Sequence, residues 1–213
     1  DLQAERHYLG VRNLLRHRSI MDMELLYREL PETLWPYDYA AYRANPMRVE
    51  SVATDCLTGE AVYLEEKENP ERIIDIVRAS SALPFACPIA HVDGRAMLDG
   101  GIADSIPLAR AFAQGYEHAV VVLTRHHGYR KEERPPRIPP FVYSRYPQLR
   151  EALRTRGVRY NAQLTRVEQL EREGRITVVR PDHPVDVARI ETNMDKMNAL
   201  YSHGFAMAEK MLG

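Results

Sequence analysis

The sequence is poor in cysteine: it has only Cys56 and Cys87, too few for a disulfide framework and without the spacing of metal ligands. Such sparing use suits a reducing compartment, and the cytoplasm is the expected location. A charge imbalance is lacking too. Lys and Arg number 29 against 30 Asp and Glu, for a net charge of -1, so no electrostatic footprint of nucleic acid is present and no nucleic-acid partner is expected. No apolar run approaches the roughly 20 residues of a membrane span. No signal-peptide pattern opens the chain. A phosphate-cradling glycine-rich loop is also missing, which argues against a nucleotide-binding α/β protein. The first residue is Asp1 rather than Met, and the chain reads as helix from its start, so it is expected to be a piece of something longer.

What remains is an ordinary globular composition, 45% hydrophobic and 28% charged over 213 residues, enough for one domain or one domain with an appendage. Tyr8, Val11, Leu14 and Leu15 recur at helical spacing, and "MDMELLYREL" repeats the pattern until Pro31 and Pro36 break it. A short helix is expected in "YDYAAYRANP". Residues 48–65 read as a hairpin turning at Thr58-Gly59. "PERIIDIVRASSALP" predicts a helix with Pro70 at its start and Ile73, Ile74, Ile76 and Val77 as its buried stripe. A second hairpin follows, turning at Gly94. Asp104 and Ser105 are expected to organise the next helix start, with Pro107 in its first turn and Gly115 closing it. "HAVVVLTR" reads as a strand covered on both faces.

A charged, Pro-rich loop or linker then intervenes, "HHGYRKEERPPRIPPF". Beyond it Tyr160, Leu164, Val167 and Leu170 mark an amphipathic helix, "RITVVRP" a strand, and Met194, Met197, Tyr201, Phe205 and Ala208 a final helix. Alternation of helix and strand makes the class α/β.

The stretch "AMLDGGIADSIPLARAF" holds the leading candidate site residue, Asp99, at the end of an apolar strand and directly before Gly100 and Gly101. Taken alone, Asp-Gly-Gly is a turn. Its flanks add more. "RASSALPFACPI" precedes it and "IADSIPLARAFAQGYEHAVVVLTR" follows it; with "SVATDCLTGEAVYL" and the C-terminal "RYNAQLTRVEQLEREG" they make the chain resemble the patatin-like phospholipase family, particularly its bacterial members. The resemblance covers nearly all of the chain and is strongest over 76–125.

This resemblance implies a patatin-like three-layer α/β/α sandwich, incomplete at its N-terminus, with a mainly helical C-terminal appendage. Residues 1–134 would be the C-terminal part of the catalytic domain, and 135–213 the Pro-rich connection and appendage. It implies hydrolysis of acyl esters of lipids by a Ser–Asp dyad, with Asp99 as the catalytic carboxylate, Gly100 and Gly101 shaping its turn, and neither metal nor cofactor. The chemistry is coherent, since a serine hydroxyl is a poor nucleophile until a base within hydrogen-bond reach takes its proton.

The chain departs from the family at one point. None of its seven serines (Ser19, Ser51, Ser80, Ser81, Ser105, Ser144, Ser202) has glycines at both minus two and plus two, so no nucleophile elbow is present, nor is the glycine-rich oxyanion segment that precedes one. The fragment alone is therefore expected to be inactive. A non-catalytic lipid-binding or regulatory protein is the alternative.

Other residues with chemical potential have plainer readings beside the functional ones. Cys56 and Cys87 read as buried packing, and Ser80 and Ser81 as helix-end hydrogen-bonders. His126 and His127, with Arg125, Arg130 and Lys131, would hold a lipid phosphate or form a solvated loop; the solvated loop is favoured. "VRNLLRHRS" (11–19) is basic and half-apolar. It either packs on the protein or lies on an anionic membrane surface, which would make the protein peripheral to the inner membrane. No His-x-x-x-His spacing occurs, and no metal is expected. The substrate lipid and the oligomeric state are not legible.

Overall fold

The computed structural model of the chain describes residues 22–188 and 191–212. The expected first helix around Tyr8 and the basic stretch 11–19 lie outside the described residues. Two compact units are present. One comprises the described residues up to Ser105 together with Arg134–Arg156; the other comprises Ile106–Glu133 and the residues from Gly157 on. The chain is mixed α/β with a helical C-terminal region, as the sequence predicts.

The first unit is built on an antiparallel sheet of order β2-β1-β4-β3, with β1 Ser51–Asp55, β2 Ala61–Leu64, β3 Ala90–Val92 and β4 Arg95–Asp99. Both expected hairpins form. In the β3–β4 turn Asp93 and Gly94 both take positive φ, +52° and +75°, the backbone signature of a two-residue turn that follows the sheet's twist. α1 (Leu25–Leu34) and α2 (Tyr39–Ala44) precede the sheet, and α3 (Pro70–Ser80) lies between the hairpins. Asn69 caps α3 by accepting from the Arg72 amide at 3.2 Å, and Pro70 occupies its first turn. Ala53, Ile76, Ala79, Val92, Met97 and Leu98 form the heart of the core, all 3% exposed or less.

Two expectations are corrected in this unit. Pro31 does not break the helix of "MDMELLYREL": α1 runs through it and ends before Pro36, with the Trp35 amide donating to Leu30 O five residues back, at 2.8 Å. A proline crowds the carbonyl four residues before it, and the wider winding relieves that crowding. In α3 the buried residues are Ile76 and Ala79, whereas Val77 is exposed. The helix meets the sheet through a narrower stripe than four apolar residues in five positions suggest.

The second unit holds α4 (Leu108–Ala113) and a parallel pair, β5 (Ala119–Val122) and β6 (Ile176–Val179), in register Ala119↔Ile176 to Val122↔Val179. α5 (Pro147–Arg172) contributes its residues from Gly157 on; α6 (Met194–Leu212) follows β6. Leu108, Val121, Leu164, Val167, Leu170 and Val178 pack together, so the predicted apolar face of α5 is buried. β5 is not covered on both faces: Val121 is buried but Val120 and Val122 are exposed. The expected final helix forms as α6, with its marker residues Met194, Met197, Tyr201 and Phe205 exposed. Helical periodicity defines an apolar face but not whether anything packs on it.

Candidate active site

Asp99 ends β4, a strand paired on one side with β1 up to Asp99 and on the other with β3 up to Met97. β1 pairs with it through Ala53↔Asp99, Thr54↔Leu98 and Asp55↔Met97, and β3 through Ala90↔Met97. The sheet is antiparallel. The end of β4 is therefore not the shared carboxyl edge at which parallel sheets gather ligands.

A dense set of hydrogen bonds fixes the turn after the strand. The Asp99 amide donates to Ala82 O at 2.9 Å, tying it to the "SSALP" segment that follows α3. The buried Thr54 hydroxyl donates to Asp99 O at 2.9 Å and accepts from the Ala103 amide at 3.2 Å. Gly100–Ile102 make a single tight helical turn whose cap is Asp99: its Oδ1 accepts from the Gly101 amide at 2.7 Å. Gly101 O in turn accepts from Ser105 Oγ and from Arg156 Nε, both at 2.7 Å. Tyr63 closes the far side by donating its hydroxyl to Asp104 Oδ2 at 2.6 Å.

The two glycines answer different constraints. A Cβ on Gly100 would stand 2.2 Å from Val52 O, a backbone atom of β1. A Cβ on Gly101 would meet Asp99 Oδ1 at 2.9 Å and the Arg156 guanidinium at 3.3 Å, both ends of side chains.

The carboxylate that results is half-buried. One oxygen is held by backbone, and Oδ2 accepts no hydrogen bond among the described residues. Such an arrangement can receive a proton from a hydroxyl placed beside it. Tyr27, on α1, lies near enough to feel the Asp99 charge. Burial is the main reason its phenol is pushed above the ordinary range, with a hydrogen bond to Ser81 opposing. Tyr27 also lines an apolar cleft of about 280 Å³ whose walls include Leu26, Tyr42, Leu64, Ile73 and Ile76.

Asp104 and Ser105 do not start α4. Pro107 holds the cap position without a side-chain bond, and Ser105, two residues earlier, turns its hydroxyl back to Gly101. Ser81 closes α3, donating Oγ to Val77 O at 2.8 Å. Cys56 and Cys87 are buried, and desolvation together with the neighbouring Asp55 charge pushes the Cys56 thiol up to about 12. A thiol that stays protonated is no nucleophile. The basic loop is engaged within its own unit. Arg130 forms a two-pronged pair with Glu168 at 2.9 and 2.7 Å, and Lys131 Nζ sits 3.7 Å from the centroid of the Tyr160 ring. His126 Nδ1 lies 2.7 Å from His127 O. Sequence reasoning missed Thr54, Tyr27 and Arg156 in the surroundings of Asp99.

Comparison with known families settles the affiliation. The sequence model of the patatin-like phospholipase family matches residues 1–112, the stretch that includes Asp99, Gly100 and Gly101. The chain belongs to the patatin-like phospholipase family. Residues 146–213 match a second family, described as a domain of unknown function (DUF6363). Among curated proteins, this family member is similar to an uncharacterized NTE family protein of Mycobacterium tuberculosis, 38% identical over 64 residues, 30% of this chain and 17% of that protein. It matches the Mycobacterium bovis NTE family protein to the same extent. It is also similar to the uncharacterized protein YjjU of Escherichia coli, 41% identical over 63 residues, 29% of this chain and 17% of that protein. The match thus spans about a sixth of the length of these relatives. Among the described residues, no helix is long and apolar enough to cross a membrane.

Proposed function

We propose that this patatin-like chain is part of a serine lipid acyl hydrolase working through a Ser–Asp dyad, with Asp99 as the base. The observation that carries the reading is the Asp99 carboxylate, held through one oxygen by the Gly101 amide at 2.7 Å and open at the other. Family membership supplies the lipid ester as the substrate class. The apolar cleft that shares Tyr27 with the surroundings of Asp99 is of a kind to receive an acyl chain.

In this reading the serine is supplied by sequence other than these 213 residues, which contain no nucleophile elbow. As the serine Oγ attacks the ester carbonyl, its proton passes to Asp99 Oδ2. The tetrahedral intermediate collapses to an acyl-enzyme, and the departing alcohol takes that proton. Water then attacks the acyl-enzyme and gives a proton to Asp99. The second collapse returns it to serine and releases the fatty acid. Thr54, Ser105 and Arg156 act by holding the turn. Residues 1–134 belong to the catalytic domain and 135–213 form the appendage, in a cytoplasmic protein that reaches lipid at the membrane periphery.

The test is made in the full-length protein. Asp99→Asn keeps size and turn hydrogen bonding but removes the base, and hydrolysis of p-nitrophenyl esters is expected to fall to background with the fold intact. Near-normal activity would show Asp99 to be a turn residue only. The 213-residue chain by itself is expected to be inactive; turnover by pure material, blocked by a serine-directed fluorophosphonate, would overturn that. If the native sequence carries no Gly-x-Ser-x-Gly before Asp1, the hydrolase reading fails and a non-catalytic lipid-binding role takes its place.

A further inference from the structure

The second unit brings together three metal-ligating side chains that no sequence spacing announces. Asp182 and His183 stand in the segment leaving β6, and His203 stands on α6. One ligand atom from each lies within 4.8 Å of the other two. His183 Nδ1 is 2.5 Å from Asp182 Oδ1, His203 Nε2 is 3.3 Å from the same oxygen, and the two imidazole centroids are 4.5 Å apart. His203 Nε2 is shielded from solvent yet has no aligned hydrogen-bond partner among the described residues. A buried imidazole nitrogen left unmatched and turned toward a carboxylate and a second imidazole is what a metal ligand looks like before the ion is added.

We propose that Asp182, His183 and His203 bind a divalent transition metal ion of the zinc class, which clasps the segment after β6 onto α6. The donor set is two imidazole nitrogens and one carboxylate oxygen. It suits Zn²⁺ and its neighbours, whereas Mg²⁺ and Ca²⁺ prefer oxygen alone. Tetrahedral ligands about 2.0–2.1 Å from zinc stand roughly 3.3–3.4 Å apart. The His203–Asp182 pair already meets that separation, and the His183–Asp182 pair opens from its hydrogen bond to admit the ion. Asp182 and His183 are exposed on their outer side, so water completes the coordination.

A clasp has a mechanical role here. α6 leaves Met194, Met197, Tyr201 and Phe205 uncovered, so little apolar burial holds it. Among the described residues, its ion pairs run to this segment: Lys196 Nζ to Asp186 at 2.8 Å, and His203 to Asp182 at 3.3 Å. Residues 196 and 203 are seven apart and lie on the same helix face. The site falls within residues 146–213, the stretch that matches the second family.

The experiment titrates Zn²⁺ into the metal-free 213-residue chain by calorimetry, with Co²⁺ absorption as a spectroscopic check on ligand number and geometry. One ion per chain is expected at micromolar affinity, together with a rise in thermal midpoint. Asp182→Asn and His203→Ala should each weaken binding at least tenfold and abolish the thermal shift, while His126→Ala combined with His127→Ala should change neither. Asp182→Asn is nearly isosteric and on an exposed segment, so it serves even if His203→Ala disturbs α6. No saturable binding at micromolar zinc, or binding unchanged in Asp182→Asn, would overturn the proposal, as would loss of binding in the His126/His127 double variant.

Discussion

Replacing Gly100 by alanine tests how the Asp99 turn is built. The added methyl carbon would lie 2.2 Å from Val52 O, 2.5 Å from Val52 C and 2.8 Å from Val52 Cβ. Ordinary van der Waals contact begins beyond 3.4 Å, so β1 and β4 would have to part by about an ångström where Ala53 pairs with Asp99. Val52 is itself bonded into the hairpin opposite Tyr63 and cannot yield alone. Overpacking a core costs about 1–3 kcal/mol, and a backbone obstacle in a central ladder puts this case near about 3 kcal/mol. At about 2–4 °C per kcal/mol for a chain of this size, the thermal midpoint should fall by about 6–12 °C. Gly101→Ala is the control. Its methyl meets the ends of Asp99 and Arg156 rather than backbone, and those can rotate aside, so its stability cost should stay under about 1 kcal/mol. In the full-length protein the same change turns the Asp99 carboxylate away and should lower ester hydrolysis sharply. Differential scanning calorimetry on both variants decides the matter. A Gly100→Ala midpoint within about 1 °C of the parent would refute the steric reasoning.

Gly157→Ala should also destabilise, although alanine is favoured over glycine inside a helix by about 1 kcal/mol. Its methyl would lie 2.5 Å from Glu132 O. A net loss of about 1–2 kcal/mol in urea unfolding is expected, and a gain would show that the loop simply yields. Asp55 is buried, and desolvation pushes its carboxyl up. The Thr58 and Leu57 amides (3.0 and 2.7 Å) and Arg95 (2.7 and 2.9 Å) outweigh that and hold it below the usual carboxylate range. Its folded pKa is thus depressed, so its contribution to stability is fully present above the unfolded value near about 3.9 and is lost as pH falls through the lower folded value. Asp55→Asn should cost about 2 kcal/mol at pH 7 and flatten the acid limb of the stability profile; an unchanged acid limb would contradict this. Cys56, fully buried with its thiol pushed up to about 12, should react with a disulfide reagent only at the rate of unfolding. Rapid labelling of the native chain at Cys56 would refute that.

What was legible in the sequence was local. The two hairpins, the Asn69–Pro70 start of α3 and the apolar face of α5 each rest on signals within a few residues: a turn dipeptide, a cap, a helical period. What was not legible depends on chain that is distant. Arg156 reaches Gly101 O across 55 residues, and Thr54 reaches Ala103 across 49. Asp182 and His183 meet His203 only because α6 folds back along the segment after β6. One apolar reading failed for a related reason. β5 has a strongly apolar pattern, but pattern alone does not state what covers it, and here Val120 and Val122 stand exposed, as do Tyr201 and Phe205 on α6.

In the Asp-Gly-Gly motif the geometry separates what the fold requires from what the proposed chemistry would require. Gly100 is required by the approach of β1 whatever the turn does, since Val52 O leaves no room for any side chain. Gly101 supplies the amide that Asp99 Oδ1 accepts and leaves space beside the same oxygen. A turn of this kind needs only one acceptor at position 99, and asparagine supplies one as well as aspartate does. Thr54, Ser105 and Arg156 hold the surrounding backbone through its carbonyls and amides, none of which requires a charge on residue 99. The carboxylate is therefore in excess of what the fold uses. Asp99→Asn should leave the thermal midpoint within about 1 kcal/mol equivalent of the parent, and any loss of hydrolysis in the full-length variant is then a loss of chemistry. A large drop in stability from that single substitution would instead mean that the charge itself holds the turn.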